Sequence, residues 1–300
     1  GDVVRFSNLL ESHVIGDPTF RFAPVPGSVD VDGLLLQNKA SSWKKLLKSP
    51  LPDVQSLAIE QLRRAGALSS ADLLRIYRES PYGVVRLEAL MALSATPDDH
   101  FITAVTEASQ DAYELVQRQA IRFIAKNGDR RLIPALIRLS IANNTSDRCN
   151  FNVMTALACF PKEDLLAEFD RQFDAPSVQY LDKNNLRGKI RNTIAHSADR
   201  LTTDIDKVVK GEASEKDRTF TIRALRNTLP HHKVPELLVY LQNCGDGNTQ
   251  ILLLEALGWH TVSCHAADIA ATALKMSEDA SLPDAVRQEA LKTYRRIHEK

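Results

Sequence analysis

The sequence lacks long apolar runs and any net charge. No run approaches the roughly 18 apolar residues that a membrane-spanning helix needs, so we expect a soluble chain without a membrane span. The 38 Lys and Arg residues balance the 38 Asp and Glu residues, which gives no general attraction to nucleic acid or to an anionic membrane surface. Binding to either would need a local patch of charge.

Cysteine and glycine are also scarce. Four cysteines in 300 residues, with no Cys-x-x-Cys pair, are too few for a disulfide-built scaffold, so we expect buried free thiols. The chain has only 12 glycines and no Walker, Rossmann or nucleophile-elbow pattern. We therefore expect no cofactor, no catalytic residue and no enzymatic activity.

One group of potential metal ligands lies in the last third of the chain. It consists of His231, His232, His260, Cys264 and His265, which are residue types that bind zinc. Adjacent histidines point in different directions on a helix, and only His260 and Cys264 have the spacing of four residues that places two ligands together. We therefore expect no metal site.

A short motif recurs along the chain at intervals of roughly 30–40 residues. In each copy an apolar residue is followed four positions later by a small or apolar one, as in Val85 with Ala89 and Val116 with Ala120. The other copies are Val54/Ala58, Asn152/Ala156 (with a polar first residue), Ile190/Ile194, Phe220/Ala224, Leu252/Ala256 and Val286/Ala290. Amphipathic runs such as DLLRIY and VPELLVYLQ lie between them. Each repeat therefore predicts two helices.

Helix-starting clusters support the division into helix pairs, and strand signals are almost absent. The clusters that open first helices are Ser69-Ser70, Pro97-Asp98-Asp99, Gly128-Asp129, Pro161-Lys162-Glu163 and Ser197-Ala198-Asp199. A helix with one apolar stripe is not stable alone, so such pairs stack, and the small residue lets the neighbouring helix approach. The sequence predicts an all-α protein.

The second-helix starts and two first-helix prolines resemble those of a known repeat family. The starts are Pro52-Asp53-Val54, Val85-Arg86, Val116-Gln117 and Asp284-Ala285-Val286-Arg287, and the prolines are Pro134 and Pro235. Together they resemble HEAT repeats, in particular the short HEAT-like type of the phycobilisome lyases. The resemblance covers about residues 41–300 and implies a right-handed α-solenoid, an armadillo-like superhelix, of about eight antiparallel helix pairs. Residues 145–200 depart from the pattern.

Residues 1–40 do not fit the repeat. The segment DPTFRFAPVPGSVDVDG carries three prolines among glycines and aspartates, so we expect it to be extended or irregular. One hypothesis is a cap in which Phe20, Phe22 and Val25 cover the apolar edge of the first repeat. The alternative is a juxtamembrane linker.

Charges on the predicted second helices suggest a binding groove, because the resemblance implies that these helices line the concave face. The helix predicted over 183–197 has four basic residues and no acidic one, whereas its partner over 162–174 is mainly acidic. Arginine binds carboxylates through two parallel hydrogen bonds. The candidate binding residues are Arg118, Arg122, Arg191, Arg223 and Arg226. The alternative is a solvated face on which arginines pair with neighbouring acids.

The sequence favours a non-enzymatic scaffold that holds an acidic or extended protein segment along the concave face. The enzymatic alternative, implied by the resemblance, is a bilin-lyase-like enzyme or chaperone. A HEAT-type DNA glycosylase is disfavoured by the zero net charge and the aromatic content of 6%. For Trp43 and Trp259 we expect core filling at repeat seams, with partner binding as the alternative.

The start of the sequence bears on its compartment. It begins with Gly1 rather than Met, and GDVVRFSNLL does not have the pattern of a signal peptide. This favours a processed or trimmed product, such as the soluble part of a membrane-anchored or exported protein. A third hypothesis is therefore an accessory repeat domain of a larger protein.

Overall fold

The computed structural model describes residues 29–142, 145–175 and 182–299. Within these ranges the chain forms sixteen α-helices and two short 3-10 helices, and it has no β-strand there. The prediction of an all-α protein is confirmed. None of the helices in the described ranges is long and apolar enough to cross a membrane.

The helices follow one another with short connections. The first nine are α1 (Val31–Gln37), α2 (Ala40–Leu46), α3 (Pro52–Arg64), α4 (Ser70–Glu79), α5 (Gly83–Leu93), α6 (Asp99–Ala108), α7 (Glu114–Asn127), α8 (Ile133–Ile141) and α9 (Asp147–Leu157). The others are α10 (Lys162–Phe173), α11 (Lys183–Val209), α12 (Glu215–Leu225), α13 (Val234–Asn243), α14 (Gly247–Leu257), α15 (Ala266–Glu278) and α16 (Asp284–His298). The 3-10 helices, Arg130–Leu132 and His231–Lys233, precede α8 and α13.

Local capping chemistry sets several helix starts at the predicted places. The Ser69 hydroxyl accepts from the backbone N–H of Asp72, whose carboxylate accepts from the N–H of Ser69, and this reciprocal capping box opens α4. Asp98 caps α6 without the reciprocal bond, because its carboxylate accepts from the backbone N–H groups of His100 and Phe101. Gly128 ends α7 in the left-handed region, with a φ of 72°.

From α3 to α16, each helix packs against at least one of its neighbours in sequence and against at least one helix two positions away. The helices α3, α5, α7, α9 and α11 contact one another in that order, and α12, α14 and α16 do the same. On the other side of the array, α4 contacts α6, α8 contacts α10, and α13 contacts α15. Such alternation buries one face of a helix between two neighbours, whereas α1 has no buried residue.

The recurring small residues lie in these contacts. Ala89 and Ala120 are fully buried, as are Ala58, Ala156 and Ala290. Phe220 departs from the motif: its side chain is 74% exposed, and Ile222 and Leu225 fill the interior of α12 instead. The register of the sixth copy was therefore predicted wrongly.

Helix α11 corrects another prediction. The cluster Ser197-Ala198-Asp199 does not open a new helix, because α11 runs unbroken from Lys183 to Val209. Ser197 and Ala198 face inward and are buried, and nothing in the segment removes a backbone donor or requires a turn. One long helix thus covers the second helix of one predicted pair and the first helix of the next.

The buried apolar residues form two large clusters that meet within α11. One extends from Ile59 to Ala198, and the other from Leu201 to Ile297. A small third cluster joins Trp43 to Ala58 and Leu62, which confirms the prediction that Trp43 fills the core.

The N-terminal segment is described only from residue 29. Asp30 caps α1, which begins at Val31, so the end of the segment predicted to be irregular is helical. The proposed cap residues Phe20, Phe22 and Val25 lie outside the described residues.

All four cysteines are free, but their burial differs. Cys149 and Cys159 are buried as predicted, whereas Cys244 is half-buried and Cys264 is exposed. The prediction of buried thiols therefore holds for two of them.

Candidate functional site: a basic cavity beside a crossing segment

The connection between α14 and α15 reaches back to the end of α7. We call residues 258–265 the crossing segment. The side-chain amide of Asn127 donates to the Val262 carbonyl at 2.8 Å, and the backbone N–H of Cys264 donates to the Asn127 carbonyl at 2.8 Å. Val262 also packs against the N-terminal core cluster. The crossing segment therefore joins two distant parts of the chain.

His231 strengthens this junction from the 3-10 helix before α13. One ring nitrogen, Nε2, donates to the Ala125 carbonyl at 2.9 Å, and Nδ1 lies 3.0 Å from the Ser263 hydroxyl. Its backbone N–H donates to the Cys159 carbonyl at 3.1 Å. Burial of the ring lowers the pKa of His231 to about 3. The imidazole is therefore a neutral structural group.

Three of the four histidines considered as zinc ligands, His231, His260 and His265, make other polar contacts. The His231 and His260 ring centroids lie 6.4 Å apart, and His260 Nε2 donates to the Leu225 carbonyl at 2.6 Å. His265 lies 3.1 Å from Asp268. Within the described ranges, no group of three or more His, Cys, Asp or Glu side chains is placed to hold a metal ion.

A cavity of about 460 Å³ opens beside the crossing segment. Side chains from α7 and α9, from the end of α12 and from the crossing segment surround it. They are Arg122, Ala125, Lys126, Phe151, Asn152, Thr155, Arg226, Asn227, Trp259 and His260. Two of the candidate arginines, Arg122 and Arg226, therefore meet at one cavity although they are far apart in sequence.

The cavity has a positive lining. Arg122 and Lys126 are four residues apart on α7 and share one face of that helix. Partial desolvation of its ammonium group and repulsion by Arg122 hold the pKa of Lys126 below its usual value. No acidic side chain is among the residues that line the cavity in the described structure; the nearby Glu255 lies 3.5 Å from Arg226.

Trp259 stands at the edge of the cavity between two guanidinium groups. Those of Arg226 and Arg296 each lie 4.8 Å from its ring centroid, and its Nε1–H donates to Glu255 at 2.7 Å. The side chain is 48% exposed, so the prediction that Trp259 fills the core was wrong. The neighbouring Gly258 takes the close-packed position, and a Cβ there would meet Arg296 Nη1 at 2.5 Å.

Two further features make the cavity suited to a ligand. Phe151 is 72% exposed and presents an apolar ring to the solvent. The Nδ2 atom of Asn152 is shielded from solvent and has no hydrogen-bond partner in the described structure. An enclosed donor without an acceptor is costly, so a bound acceptor would improve its environment.

The remaining predicted site residues are not in the lining of this cavity. Arg223 meets Arg226 at an adjacent cavity of about 430 Å³, where Glu255 and Glu289 also lie. Arg118 is half-buried on α7, and its Nε atom has no hydrogen-bond partner in the described structure. Arg191 lies 3.6 Å from Asp170.

The basic residues of α11 face acids on α10. Arg187 donates to Asp170 at 2.9 Å and to Asp174 at 2.7 Å. The opposite charges predicted for this helix pair are therefore partly used in contacts between the two helices. Arg187 and Arg191 are less available for a partner than the sequence suggested.

Sequence reasoning missed several residues of the cavity. The spacing of four residues from Arg122 could have indicated Lys126. No sequence signal indicated Phe151, Asn152 or Asn227, because their approach to Trp259 depends on the crossing segment.

A second cavity, of about 470 Å³, lies on another part of the crossing segment. Thr261 and Val262 line it together with residues of α3 and α5, including Glu60, Arg63 and Glu88. Burial and the nearby Glu60 raise the pKa of Glu88. The crossing segment thus contributes to one basic cavity and to one with an excess of acid.

Comparison with protein-family models and with curated proteins finds no match for the chain.

Proposed function

We propose that the protein is a non-enzymatic binding scaffold in which HEAT-like helix pairs stack into an α-solenoid. Contacts between helices two positions apart, from α3 to α16, support the stacking. In this proposal the second helices of the pairs form a surface that holds an acidic protein segment. These second helices are α3, α5, α7, α9, the first half of α11, α12, α14 and α16.

The observation that carries the proposal is the meeting of Arg122, Lys126 and Arg226 at one cavity. Arg226 lies near Glu255, but Arg122 and Lys126 form no ion pair in the described structure. Like charges repel, so grouping these cations costs stability unless an anion binds there. Two exposed aromatic rings, Phe151 and Trp259, lie in the same lining. Aromatic and arginine side chains are typical of residues that contribute most to protein interfaces.

Binding would require little rearrangement of the scaffold. Trp259 is held by Glu255 and by two guanidinium groups, and the crossing segment is tied to Asn127 and His231. A surface whose side chains are already ordered loses less entropy when a ligand binds.

The test is a binding measurement with acidic peptides. Fluorescence anisotropy would compare labelled Asp- and Glu-rich peptides containing Phe or Leu with sequences in which Asn and Gln replace the acids. We expect binding of the acidic peptides only, and weakening between about 50 mM and about 300 mM salt because screening reduces attraction between exposed charges.

Charge reversal locates the site. The double variant Arg122→Glu with Arg226→Glu should weaken binding more than about tenfold, the scale of losing two charge-assisted contacts. The matched control, Arg75→Glu with Arg295→Glu, changes two exposed arginines outside the cavity lining by the same charge and should leave affinity unchanged. Equal affinity for all three proteins, or no difference between acidic and amide peptides, would contradict the proposal.

A further inference from the structure

We infer that the basic cavity binds a phosphate monoester carried on the protein segment, such as a phosphorylated serine side chain. This inference rests on the proposed function and narrows it from acidic segments in general to phosphorylated ones. It is argued from the charge, the donors and the shape of the cavity.

The charge of the cavity matches a dianion better than a single carboxylate. Arg122, Lys126 and Arg226 bring three positive charges, and Glu255 beside Arg226 brings one negative charge. Two positive charges remain unbalanced, and a phosphorylated serine carries about −1.5 to −2 at neutral pH. The neighbouring Arg296 does not add to this excess, because its Nη2 lies 4.0 Å from Glu289.

The hydrogen-bond donors also fit a group with three acceptor oxygens. Arg122 can donate through a planar fork and Lys126 through its ammonium group. The Asn152 amide supplies an enclosed donor, Nδ2, that no protein atom uses in the described structure. These residues are on two helices, α7 and α9, and all three line the cavity.

A phosphorylated side chain in the cavity would reduce the repulsion between Arg122 and Lys126 on α7. Repulsion by Arg122 contributes to the lowered pKa of Lys126. A dianion placed between them would stabilise both charged forms, and binding should therefore restore the pKa of Lys126 toward its ordinary range.

The apolar part of the lining suits a residue beside the phosphorylated one. Phe151 and Trp259 both have exposed rings, and the volume of about 460 Å³ exceeds what a phosphate group alone fills. We expect a preference for an aromatic or aliphatic residue next to the phosphorylated position.

The experiment uses three degenerate peptide libraries that differ only at one fixed central position. That position is phosphoserine, glutamate or serine. Binding to the full chain is measured by calorimetry and by tryptophan fluorescence, to which the exposed Trp259 and the buried Trp43 both contribute. We expect the phosphoserine library to bind at least about tenfold more tightly than the glutamate library, and the serine library to bind weakest.

Substitutions on α9 test the assigned donor. Asn152→Leu removes the amide donor without adding a charge, and it should reduce phosphopeptide affinity at least about tenfold. Asn150→Leu makes the same change on the same helix at an exposed residue that lines a different cavity, and it should have little effect. Arg226→Gln, at an exposed position, provides a second variant if Asn152→Leu is poorly folded.

The outcomes separate this inference from the proposed function. Equal affinity for phosphoserine and glutamate peptides would overturn the inference while the acidic-segment proposal stands. Binding of phenyl phosphate or adenosine monophosphate without binding of any peptide would assign the cavity to small phosphates and overturn both. Binding of none of these probes would also overturn both.

Discussion

The side-chain amide of Asn127 donates a hydrogen bond of 2.8 Å to the carbonyl of Val262, although the two residues lie in opposite halves of the chain. Asn127 is the last residue of α7, and Val262 lies in the connection between α14 and α15. This bond and its neighbours hold the crossing segment against the N-terminal half. They place Trp259 and His260 beside Arg122 and Lys126.

Asn127→Ala should therefore destabilise the fold. Asn127 is 2% exposed, and the substitution leaves the Val262 carbonyl without its donor. The expected loss is about 1–3 kcal/mol of unfolding free energy, the cost of an unsatisfied buried group. Urea denaturation measures it. Asn243→Ala removes an amide that also donates to a backbone carbonyl but is exposed, and it should have little effect. Equal effects of the two variants would contradict this account.

Gly128→Ala tests the close approach of His231. Gly128 has a φ of 72°, and a Cβ there would lie 2.0 Å from the His231 ring. The control Gly66→Ala has a similar φ of 62° with no atom near the added Cβ, and it should cost roughly 1 kcal/mol. Gly128→Ala should cost about 1–3 kcal/mol more, because the packed ring must move. Similar urea midpoints for both variants would contradict this prediction and show that the His231 ring can move at little cost.

The stability of the protein should fall as the pH drops below about 6.5. The pKa of His231 falls from its ordinary value of 6.5 to about 3 because the ring is buried. Between those values the unfolded chain binds a proton that the native state does not, so stability is full above pH 6.5 and decreases toward pH 3. The slope should approach about 1.4 kcal/mol per pH unit for this group. Burial also lowers the pKa of His260 and His232, with the same sign.

Chemical denaturation at several values between about pH 6.5 and about pH 5 measures this slope. His231→Asn removes one of the titrating groups and should make the pH dependence shallower, whatever it does to stability at neutral pH. An unchanged slope would mean that His231 is accessible to protons in the native state.

Arg86→Ala should be far more damaging than a comparable change on the surface. Two guanidinium nitrogens of Arg86 donate to Asp111 at 2.7 Å each, and the Asp111 side chain is only 5% exposed. Loss of the arginine leaves a buried carboxylate unpaired, which costs about 3–5 kcal/mol. Arg78 pairs with Glu107 in an exposed position, so Arg78→Ala should leave the urea midpoint unchanged. A mild effect of Arg86→Ala would show that water replaces the arginine.

The sequence predicted the parts of the fold that depend on local chemistry. Ser69 with Asp72, and Gly128 at the end of α7, are start and stop signals whose effect lies within a few residues. The burial of Ala89 and Ala120 follows from their place in the repeated motif. Such features need no knowledge of distant contacts.

The errors concern features that distant contacts decide. Ser197 and Asp199 resemble a helix start, but packing on both sides of α11 keeps the helix continuous. Trp259 is exposed because its ring lies between arginines from two other segments. For the candidate site, Arg122 and Arg226 were named but their meeting was not, since it requires the crossing segment.

Helix α11 has a consequence for how the molecule unfolds. In an array held only by nearest-neighbour contacts, one end can fray while the rest stays native. Here the boundary between the two large apolar clusters, at Ala198 and Leu201, falls inside a single helix and not at a loop. Unfolding of either cluster would remove the tertiary contacts of half of that helix. Because helix formation is cooperative, the other half would be destabilised as well. Amide hydrogen exchange in both halves of the chain should therefore report one shared opening event, so that the chain melts as one unit.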